Sequence, residues 1–454
     1  MKFLILDLYT NNNWRLVKDT AGGYGTGNDF GDSIISKGIN KFVSRAISMP
    51  PMYCMYVFSV LKKRGCDVIY SRNIVKEEVE NADYIILTSS IICHETEVEA
   101  LKKITLMGKK IFLIGIFANV VKENYQNNQT YIIPGEPEDF FSKINLNKKT
   151  LNNFFDEQSK KKISIENYLV ENLDNLPLPD WKYYTDKYPL RNNFLDFNSK
   201  IAIPITATRG CPYSCFNYCT YPLQQGRKVR FRSVKNVVNE MKHWISTLKT
   251  NKFIFRDPVF SINRKYTVDL CKEIINSKIK ISYLIETHLK NLDDELISLL
   301  KESGLKLVYV GIESSNSSVL KDINRFTVNN DDQYKLIKKL VDNNIYVKSM
   351  FMFGNPEDND ETIKNTIDYS LKLPHQLVQY SVFTPYPGTP IYSLYKDKIN
   401  EKKFEKFNQY NLIFDHKNLD NNKITNLKNF AYKKFYLRVK NVPIIIKSFL
   451  SLII

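Results

Sequence analysis

No apolar run in this sequence reaches the roughly 20 residues that a helix needs to cross a bilayer. The last segment, 442–454, is apolar but shorter than that. The amino-terminal apolar stretch is interrupted at Asp7, which is too early for the apolar core of a signal peptide. We therefore expect a cytoplasmic protein without a transmembrane span.

Cysteine and histidine are scarce, with seven and five residues in a chain of 454. The chain lacks the pair of short Cys or His spacings that is typical of a structural zinc site. Four cysteines are scattered singly, which argues against a disulfide framework and favours a reducing compartment: Cys54, Cys66, Cys93 and Cys271. The other three lie close together in the chain.

The charge balance is strongly positive, with 65 Lys and Arg against 48 Asp and Glu and a formal net charge of +17. Such an excess suits nucleic acid, an anionic membrane surface or an acidic partner. However, the lysines are spread along the whole chain, and no basic–aromatic pattern of the usual RNA-binding modules is present. We interpret the charge as a solvated lysine surface and do not expect a nucleic-acid partner.

Cys211, Cys215 and Cys219 fall within nine residues, shortly after an apolar run at 201–205. Three thiolates on one short loop suit a soft metal centre, and they leave one coordination position free. In a four-iron cluster, that open iron is able to hold a substrate or a cofactor. A disulfide with a spare thiol, or three unrelated core cysteines, explains the fixed spacing poorly. The loop therefore predicts an iron–sulfur site.

The chain reads as an α/β protein with two main domains, and its 43% apolar and 25% charged residues suit globular cores. Residues 1–145 alternate strands with helix-length segments, which predicts a Rossmann-like, doubly wound parallel sheet. Residues 146–195 are polar and contain alternating prolines, which favours an extended linker. Residues 196–395 contain six strands separated by helices, as in a partial (β/α)6 barrel, and 396–454 form a basic, aromatic extension. Ligands of both sheet types lie beyond the carboxyl ends of the strands.

The cysteine loop resembles the signature of the radical S-adenosylmethionine (SAM) family, in which three cysteines hold a [4Fe–4S] cluster. The fourth iron of that cluster chelates the methionine part of SAM. The usual spacing is C-x3-C-x2-C, whereas this chain has C-x3-C-x3-C with Tyr218 before the third cysteine. The longer spacing also occurs in radical SAM diol-dehydratases that deoxygenate aminoglycosides. The resemblance implies that Cys211, Cys215 and Cys219 are the cluster ligands.

The resemblance also implies a set of cofactor-binding residues at the barrel strand ends. Arg325 would pair with the methionine carboxylate, and Asp257 lies where family members hold the methionine amine. Glu286 and Glu313 would face the cofactor or its ribose, although a salt bridge is the alternative role for an isolated glutamate. Gly354 belongs to a turn that would line the adenine pocket. The full predicted set is Tyr218, Asp257, Glu286, Glu313, Ser314, Arg325 and Gly354.

The first domain resembles the cobalamin-binding domain that precedes many radical SAM barrels. Its expected corrinoid-facing residues are Gly23, Gly25, Ser89, Gly135 and Glu136. The family's Asp-x-His-x-x-Gly motif is absent after the first strand, and His94 is either a substitute cobalt ligand or an ordinary residue at a helix start. Cobalamin therefore binds without a protein ligand, or the domain has kept its shape and lost the cofactor. The glycine-rich stretch 21–27 lacks a Walker lysine, and a flexible loop explains it equally well.

The resemblance implies an enzyme that reductively cleaves SAM at a [4Fe–4S] cluster and abstracts hydrogen from a small molecule, such as a sugar or natural product, with a 5′-deoxyadenosyl radical. A one-electron reductant such as flavodoxin, ferredoxin or a dedicated reductase would supply the electron. With cobalamin the natural sequel is methyl transfer, and without it dehydration or dehydrogenation of a polyol. The alternatives are a radical SAM enzyme acting on transfer RNA and a non-enzymatic cobalamin- or cluster-binding sensor.

Overall fold

A computed structural model describes residues 1–10, 15–28, 37, 40–41, 51–159, 168–188 and 202–438. The apolar segment 442–454, part of the predicted linker and the first residue of the predicted strand at 201 lie outside the described residues.

The first unit is a five-stranded parallel sheet with the order β4-β1-β5-β6-β7. Its strands are almost wholly buried, as expected for a parallel sheet covered by helices on both faces. These strands are β1 Lys2–Leu6, β4 Asp67–Ser71, β5 Tyr84–Thr88, β6 Ile111–Ile114 and β7 Thr130–Ile132, and the short antiparallel pair β2 Arg15–Val17 and β3 Thr26–Asn28 follows β1. The helices are α1 Met52–Lys63, α2 Lys76–Asn81, α3 His94–Leu106, α4 Ile116–Val120 and α5 Pro137–Lys143.

The connection between the two units is partly helical. The structure has α6 Lys148–Ser159 and α7 Trp181–Lys187 where the sequence predicted an extended linker, so that prediction is wrong for both segments. The apolar residues at 151, 154 and 155 follow the i, i+3, i+4 pattern of an amphipathic helix. Phe155 packs its ring 5.0 Å from that of Phe112, so α6 extends the core of the first unit.

The second unit is a six-stranded parallel sheet in which each strand pairs with its neighbour in the chain, in the order β15-β14-β13-β12-β11-β8. The strands are β8 Ile203–Ile205, β11 Lys252–Phe255, β12 Ser282–Thr287, β13 Leu305–Glu313, β14 Tyr346–Phe353 and β15 Leu377–Val382, with the small pair β9 Thr208–Arg209 and β10 Arg230–Phe231 beside the first of them. The helices are α8 Tyr221–Gln225, α9 Val234–Leu248, α10 Arg264–Asn276, α11 Asp294–Glu302, α12 Ser317–Asp322, α13 Asn330–Asp342, α14 Asp360–Lys372 and α15 Pro390–Tyr395. This alternation is the predicted partial (β/α)6 barrel.

Helix starts in the barrel carry the expected capping side chains. Asp293 accepts a hydrogen bond from the Leu296 amide and caps α11. Asn329 and Asn359 cap α13 and α14, and aspartates in the first turn of each helix suit its dipole.

A last helix, α16 Asn421–Tyr436, lies against the final barrel strand. The hydroxyls of Tyr432 and Tyr436 donate to the carbonyls of Tyr380 and Val378 on β15. The helix therefore covers a sheet edge that would otherwise present unpaired backbone groups. Among the residues that the structure describes, no helix is long and apolar enough to cross a membrane.

Candidate functional site

The cysteine loop follows β8 and is folded by its own backbone hydrogen bonds. A turn at Ser214–Asn217 brings the amide of Cys219 to 2.9 Å from the carbonyl of Cys215. The amide of Cys211 donates to the carbonyl of Gly226 at 3.2 Å, which fixes the start of the loop. Cys211 and Cys215 are buried and Cys219 is half-buried.

The electrostatics of the loop favour a thiolate at its centre. A hydrogen bond from the Cys219 thiol, together with the charge of Arg325, lowers the pKa of Cys215 to about 6. The same hydrogen bond raises the pKa of Cys219, and burial raises that of Cys211. The thiolate is the form that binds metal, so the loop is prepared for soft metal ions.

The three cysteines fit a cluster better than a single ion. In the described part of the chain, no group of three His, Cys, Asp or Glu side chains is arranged to hold one metal ion. A [4Fe–4S] cluster takes one cysteine per iron, so its ligands need not converge on one point. The donor set therefore fits the predicted cluster.

A cleft opens at the carboxyl ends of the barrel strands, beside this loop. Its volume is about 270 Å³. Ligand clefts commonly span roughly 300–1,000 Å³, so this one lies near the lower end of that range and has room for a small-molecule ligand. Its polar lining includes Tyr218, Arg256, Glu286, Glu313 and Lys348.

Arg325 combines burial with an unused hydrogen-bond donor. Its Nη2 donates to the carbonyl of Gly311 at 2.8 Å and lies 3.6 Å from Oε1 of Glu313. Its side chain is 11% exposed, and its Nε is buried without a hydrogen-bond partner. A buried guanidinium with a free donor beside Cys215 fits the carboxylate of a bound cofactor, which supports the prediction for this residue.

Both predicted glutamates face the cleft. Burial raises the pKa of Glu286 and that of Glu313. Glu313 also has a left-handed backbone, with φ of +66°, at a register shift between β13 and β14. A non-glycine residue in that conformation is uncommon, and such residues cluster at functional sites.

Three other predicted cofactor residues are occupied by contacts within the protein. The Asp257 carboxylate accepts hydrogen bonds from the Ala207 amide and the Thr208 hydroxyl, so it positions the start of the cysteine loop. Ser314 lies 3.1 Å from the Thr366 hydroxyl. A Cβ on Gly354 would lie 2.6 Å from Cδ1 of Ile424 on α16, so this glycine makes room for the last helix.

The glycine-rich loop of the first unit packs onto the cysteine loop. The Thr220 hydroxyl donates to the carbonyl of Ala21, and a Cβ on Gly22 would lie 2.6 Å from the Thr220 carbonyl carbon. A Cβ on Gly23 would likewise come too close to the side chain of Gln224, and a Cβ on Gly25 would come too close to that of Ile92. The two predicted corrinoid-facing glycines therefore contact protein.

The remaining predicted corrinoid-facing residues also have protein partners. The Ser89 hydroxyl donates to the Ile114 carbonyl, and Gly135 forms a backbone bridge with Tyr168. Oε1 of Glu136 lies 3.1 Å from Arg209 and 2.8 Å from Arg230, which joins the two units. Gly135 and Glu136 do line a cavity between the units.

The crevice between β1 and β5, where the strand order reverses, is filled by a lysine that the sequence analysis missed. Ligands of doubly wound sheets sit at this position. Lys18 Nζ lies 3.1 Å from Asp7 and 2.8 Å from Glu97, and it donates to the Thr88 hydroxyl at 3.0 Å. All three charged side chains are completely buried. In the sequence, the only sign of this buried lysine is its position as a charged residue beside the glycine-rich loop.

The first unit does not present a histidine to cobalt. His94 is the only histidine before residue 243. Its Nδ1 lies 2.7 Å from the Tyr125 hydroxyl and its Nε2 lies 3.2 Å from the Asn124 amide. Burial lowers the pKa of His94 to about 4. His94 is therefore an ordinary structural histidine.

The inter-unit cavity is the place that fits a corrinoid in part. Its volume is about 50 Å³, which has room for a peripheral group of a corrinoid. The Tyr53 hydroxyl and Oε2 of Glu138, which line it, are buried without hydrogen-bond partners. These groups suit the amide-rich rim of a corrinoid, whereas Lys18 occupies the crevice expected for the rest of that cofactor.

A profile of the radical SAM superfamily matches residues 205–370, a range that contains the three cysteines and Arg325. Residues 205–370 therefore form a radical SAM domain, and the protein is an enzyme. The cofactors of the superfamily are a [4Fe–4S] cluster and SAM.

Sequence relatives of this radical SAM enzyme include several methyltransferases. Bacteriochlorophyllide d C-12(1)-methyltransferase of Chlorobaculum tepidum is 24% identical over 399 residues, covering 85% of this chain and 82% of that protein. An uncharacterized methyltransferase of Pyrococcus horikoshii is 27% identical over 284 residues, covering 60% and 58%.

Solved structures of two radical SAM enzymes share the fold over most of the chain. TsrM of Kitasatospora setae, a methyltransferase solved with tryptophan and a SAM analogue, has a TM-score of 0.59 at 14% identity, covering 86% of this chain and 74% of that one. OxsB, a cobalamin-dependent enzyme solved with aqua-cobalamin and SAM, has a TM-score of 0.59 at 13% identity, covering 95% and 56%. The predicted fold class, a Rossmann-like domain followed by a radical SAM barrel, is confirmed.

Proposed function

We propose that this radical SAM enzyme transfers a methyl group to a carbon atom of a small organic substrate. The observation that carries the proposal is the meeting, at one barrel mouth, of a three-cysteine loop, a buried arginine with a free donor and a cleft with a polar and apolar lining. The methyltransferases of Chlorobaculum tepidum support the type of reaction because one of them matches both units of this chain.

In this proposal, six residues at the barrel mouth have assigned roles. Cys211, Cys215 and Cys219 hold the cluster, and Arg325 binds the methionine carboxylate of SAM. Glu286 and Glu313 bind polar groups of the cofactor or of the substrate. A cluster and SAM, when bound, would supply a 5′-deoxyadenosyl radical for hydrogen abstraction, with one electron from an external reductant.

The apolar wall of the cleft protects this chemistry. Ile254, Leu284, Met350 and Met352 line the same cleft as the two glutamates. Apolar walls exclude water and limit side reactions of a reactive intermediate. The protein thereby orients the reactants while the cofactors supply the reactivity.

A corrinoid, when bound, would supply the methyl group from the cavity between the two units. Tyr53 and Glu138 would hold it through their unpaired polar atoms, and no histidine would ligate the cobalt.

Dehydration or dehydrogenation of a polyol is the second candidate function, and the burial of Lys18 in the β1/β5 crevice favours it.

Anaerobic reconstitution with iron and sulfide, with and without hydroxocobalamin, tests both candidates. We expect four-iron absorption and 5′-deoxyadenosine formation from SAM in either case. A corrinoid band that survives desalting supports methyl transfer, and its absence supports the second candidate. Failure to assemble a cluster contradicts the proposed function.

A further inference from the structure

We propose that the outer face of the cysteine loop is the docking surface for an acidic one-electron carrier protein. This proposal rests on the cluster assignment of the proposed function. The docking surface consists of Pro212, Ser214, Arg227, Lys228, Lys290 and Phe326, and all six are exposed.

The loop has an inner and an outer side. Tyr218 and Cys219 line the cleft where SAM would bind. Pro212 and Ser214, which lie between the first two cysteines, are exposed on the surface. A cluster on these cysteines would therefore lie just beneath the surface, and electron transfer slows steeply with distance. An electron carrier that docks here has the shortest path to the cluster.

The docking surface is tied to the loop by direct contacts. Arg227 donates to the carbonyl of Pro212 at 2.7 Å. Lys290 Nζ lies 4.1 Å from the centre of the Tyr213 ring. A Cβ on Gly210 would lie 2.2 Å from the Lys228 carbonyl oxygen, so Lys228 runs alongside the loop.

The charges of this face are those that attract an acidic partner. Arg227, Lys228 and Lys290 are cationic and exposed. Asp293, three residues after Lys290, pairs with Arg264 at 2.8 Å. Complementary charge speeds association and fixes orientation, which suits a carrier that must dock and leave repeatedly.

Phe326 supplies an apolar anchor for the same partner. It is 70% exposed and directly follows Arg325. Its carbonyl oxygen lies 2.6 Å from Nε2 of His288, so its backbone is held in place although its ring faces solvent. Exposed aromatic side chains with a charged rim are typical of protein-binding sites. In the docked complex, the reduced carrier loses one electron and the cluster gains it.

The test compares two reductants on the reconstituted full-length enzyme. The rate of 5′-deoxyadenosine formation is measured with reduced flavodoxin and, separately, with photoreduced deazaflavin, a small donor that needs no docking surface. We expect Lys228→Glu/Lys290→Glu to lower the flavodoxin-driven rate roughly tenfold at low salt, because charge steering alters association rates by at least that factor. The deazaflavin-driven rate and the iron content should stay unchanged.

Two further variants sharpen the test. Lys63→Glu/Lys102→Glu changes the net charge equally on exposed positions of the first unit, and we expect it to keep the flavodoxin-driven rate. Phe326→Ser should weaken the response to flavodoxin even at high salt, because its contribution is apolar.

The outcomes separate the two proposals. Absence of 5′-deoxyadenosine in the wild-type enzyme with deazaflavin contradicts the proposed function. An unchanged flavodoxin-driven rate in Lys228→Glu/Lys290→Glu, or an equal loss with both reductants, contradicts the docking surface alone. Salt-sensitive binding of bulk transfer RNA that the same variant abolishes would assign the face to nucleic acid and also overturn it.

Discussion

Arg325 and its neighbours show how single residues shape the cofactor site. A Cβ on Gly311 would lie 2.6 Å from both Nη2 of Arg325 and Oε1 of Glu313. Only glycine therefore lets these two charged side chains approach β13. The left-handed backbone of Glu313 follows directly, so the strain and the close approach occur at the same strand end.

Arg325→Ala should weaken SAM binding while leaving the iron content intact. Hydrogen bonds to charged groups contribute about 1.5–3 kcal/mol, which corresponds to a loss of roughly 10- to 150-fold in affinity. Equilibrium dialysis with SAM measures this loss. Arg325→Lys keeps the charge but not the forked geometry, so we expect an intermediate affinity. Unchanged affinity in Arg325→Ala would show that the carboxylate is bound elsewhere.

Cys215→Ala should abolish the four-iron absorption and 5′-deoxyadenosine formation, since a cluster held by two cysteines lacks a required ligand. Iron analysis after anaerobic reconstitution is the measurement. Cys271→Ala is the matched control, because Cys271 is buried in the barrel core and distant in sequence from the loop. Retention of the cluster in Cys215→Ala would remove this residue from the site.

At the scale of elements, the glycine-rich loop of the first unit supports the cysteine loop of the second. Its residues contact the backbone of Thr220, directly after Cys219, and the Tyr24 hydroxyl donates to the Pro387 carbonyl at 2.6 Å. The loop thus contacts both the first and the last loop of the barrel mouth. Its glycines allow this close packing.

Gly22→Ala should lower both stability and cluster content. Alanine at this position would have to adopt a left-handed backbone. Its Cβ would lie 2.6 Å from backbone atoms of Thr220, and these atoms cannot move without moving Cys219. We expect a loss of about 1–3 kcal/mol in the free energy of unfolding, measured by denaturant titration. Gly65→Ala is the control, since Gly65 has a similar φ with no atom within 4 Å. Equal losses in both variants would show that the inter-unit contact contributes nothing.

At the scale of the whole molecule, buried ion pairs join the two units. Glu136 of the first unit meets Arg209 and Arg230 of the second, and Asp19 meets Arg256 at 3.0 Å. Burial raises the pKa of Glu136, but the two arginines outweigh it and hold that pKa below its usual range. Glu136 therefore stays ionised and bridges the units.

Glu136→Gln should weaken the coupling between the units. The substitution leaves Arg230 without its carboxylate and Arg209 with Glu138 alone. Removal of one partner from a buried pair costs about 3–5 kcal/mol. We expect denaturant unfolding, monitored by fluorescence and circular dichroism, to change from one transition to two. Glu99→Gln breaks only the exposed pair with Lys103 and should change stability by less than about 1 kcal/mol. A single unshifted transition in Glu136→Gln would contradict this role.

The sequence by itself determined the two α/β units, the position of the cysteine loop and the ends of most barrel strands. These features depend on local patterns, namely apolar periodicity and the spacing of cysteines within one loop. Strands such as Lys252–Phe255 and Tyr346–Phe353 are buried or partly alternating, so each shows its length in its own composition.

Only the tertiary structure decided which polar residues remain available for ligands. Asp257 accepts a hydrogen bond from a backbone amide 49 residues away in the sequence. Lys18 donates to Thr88, which is 70 residues away, and Glu136 pairs with Arg230, which is 94 residues away. Such partners are chosen by the packing of units against each other, and local periodicity carries no information about them. The sequence therefore located the chemistry of the site, whereas the fold selected the side chains left free to perform it.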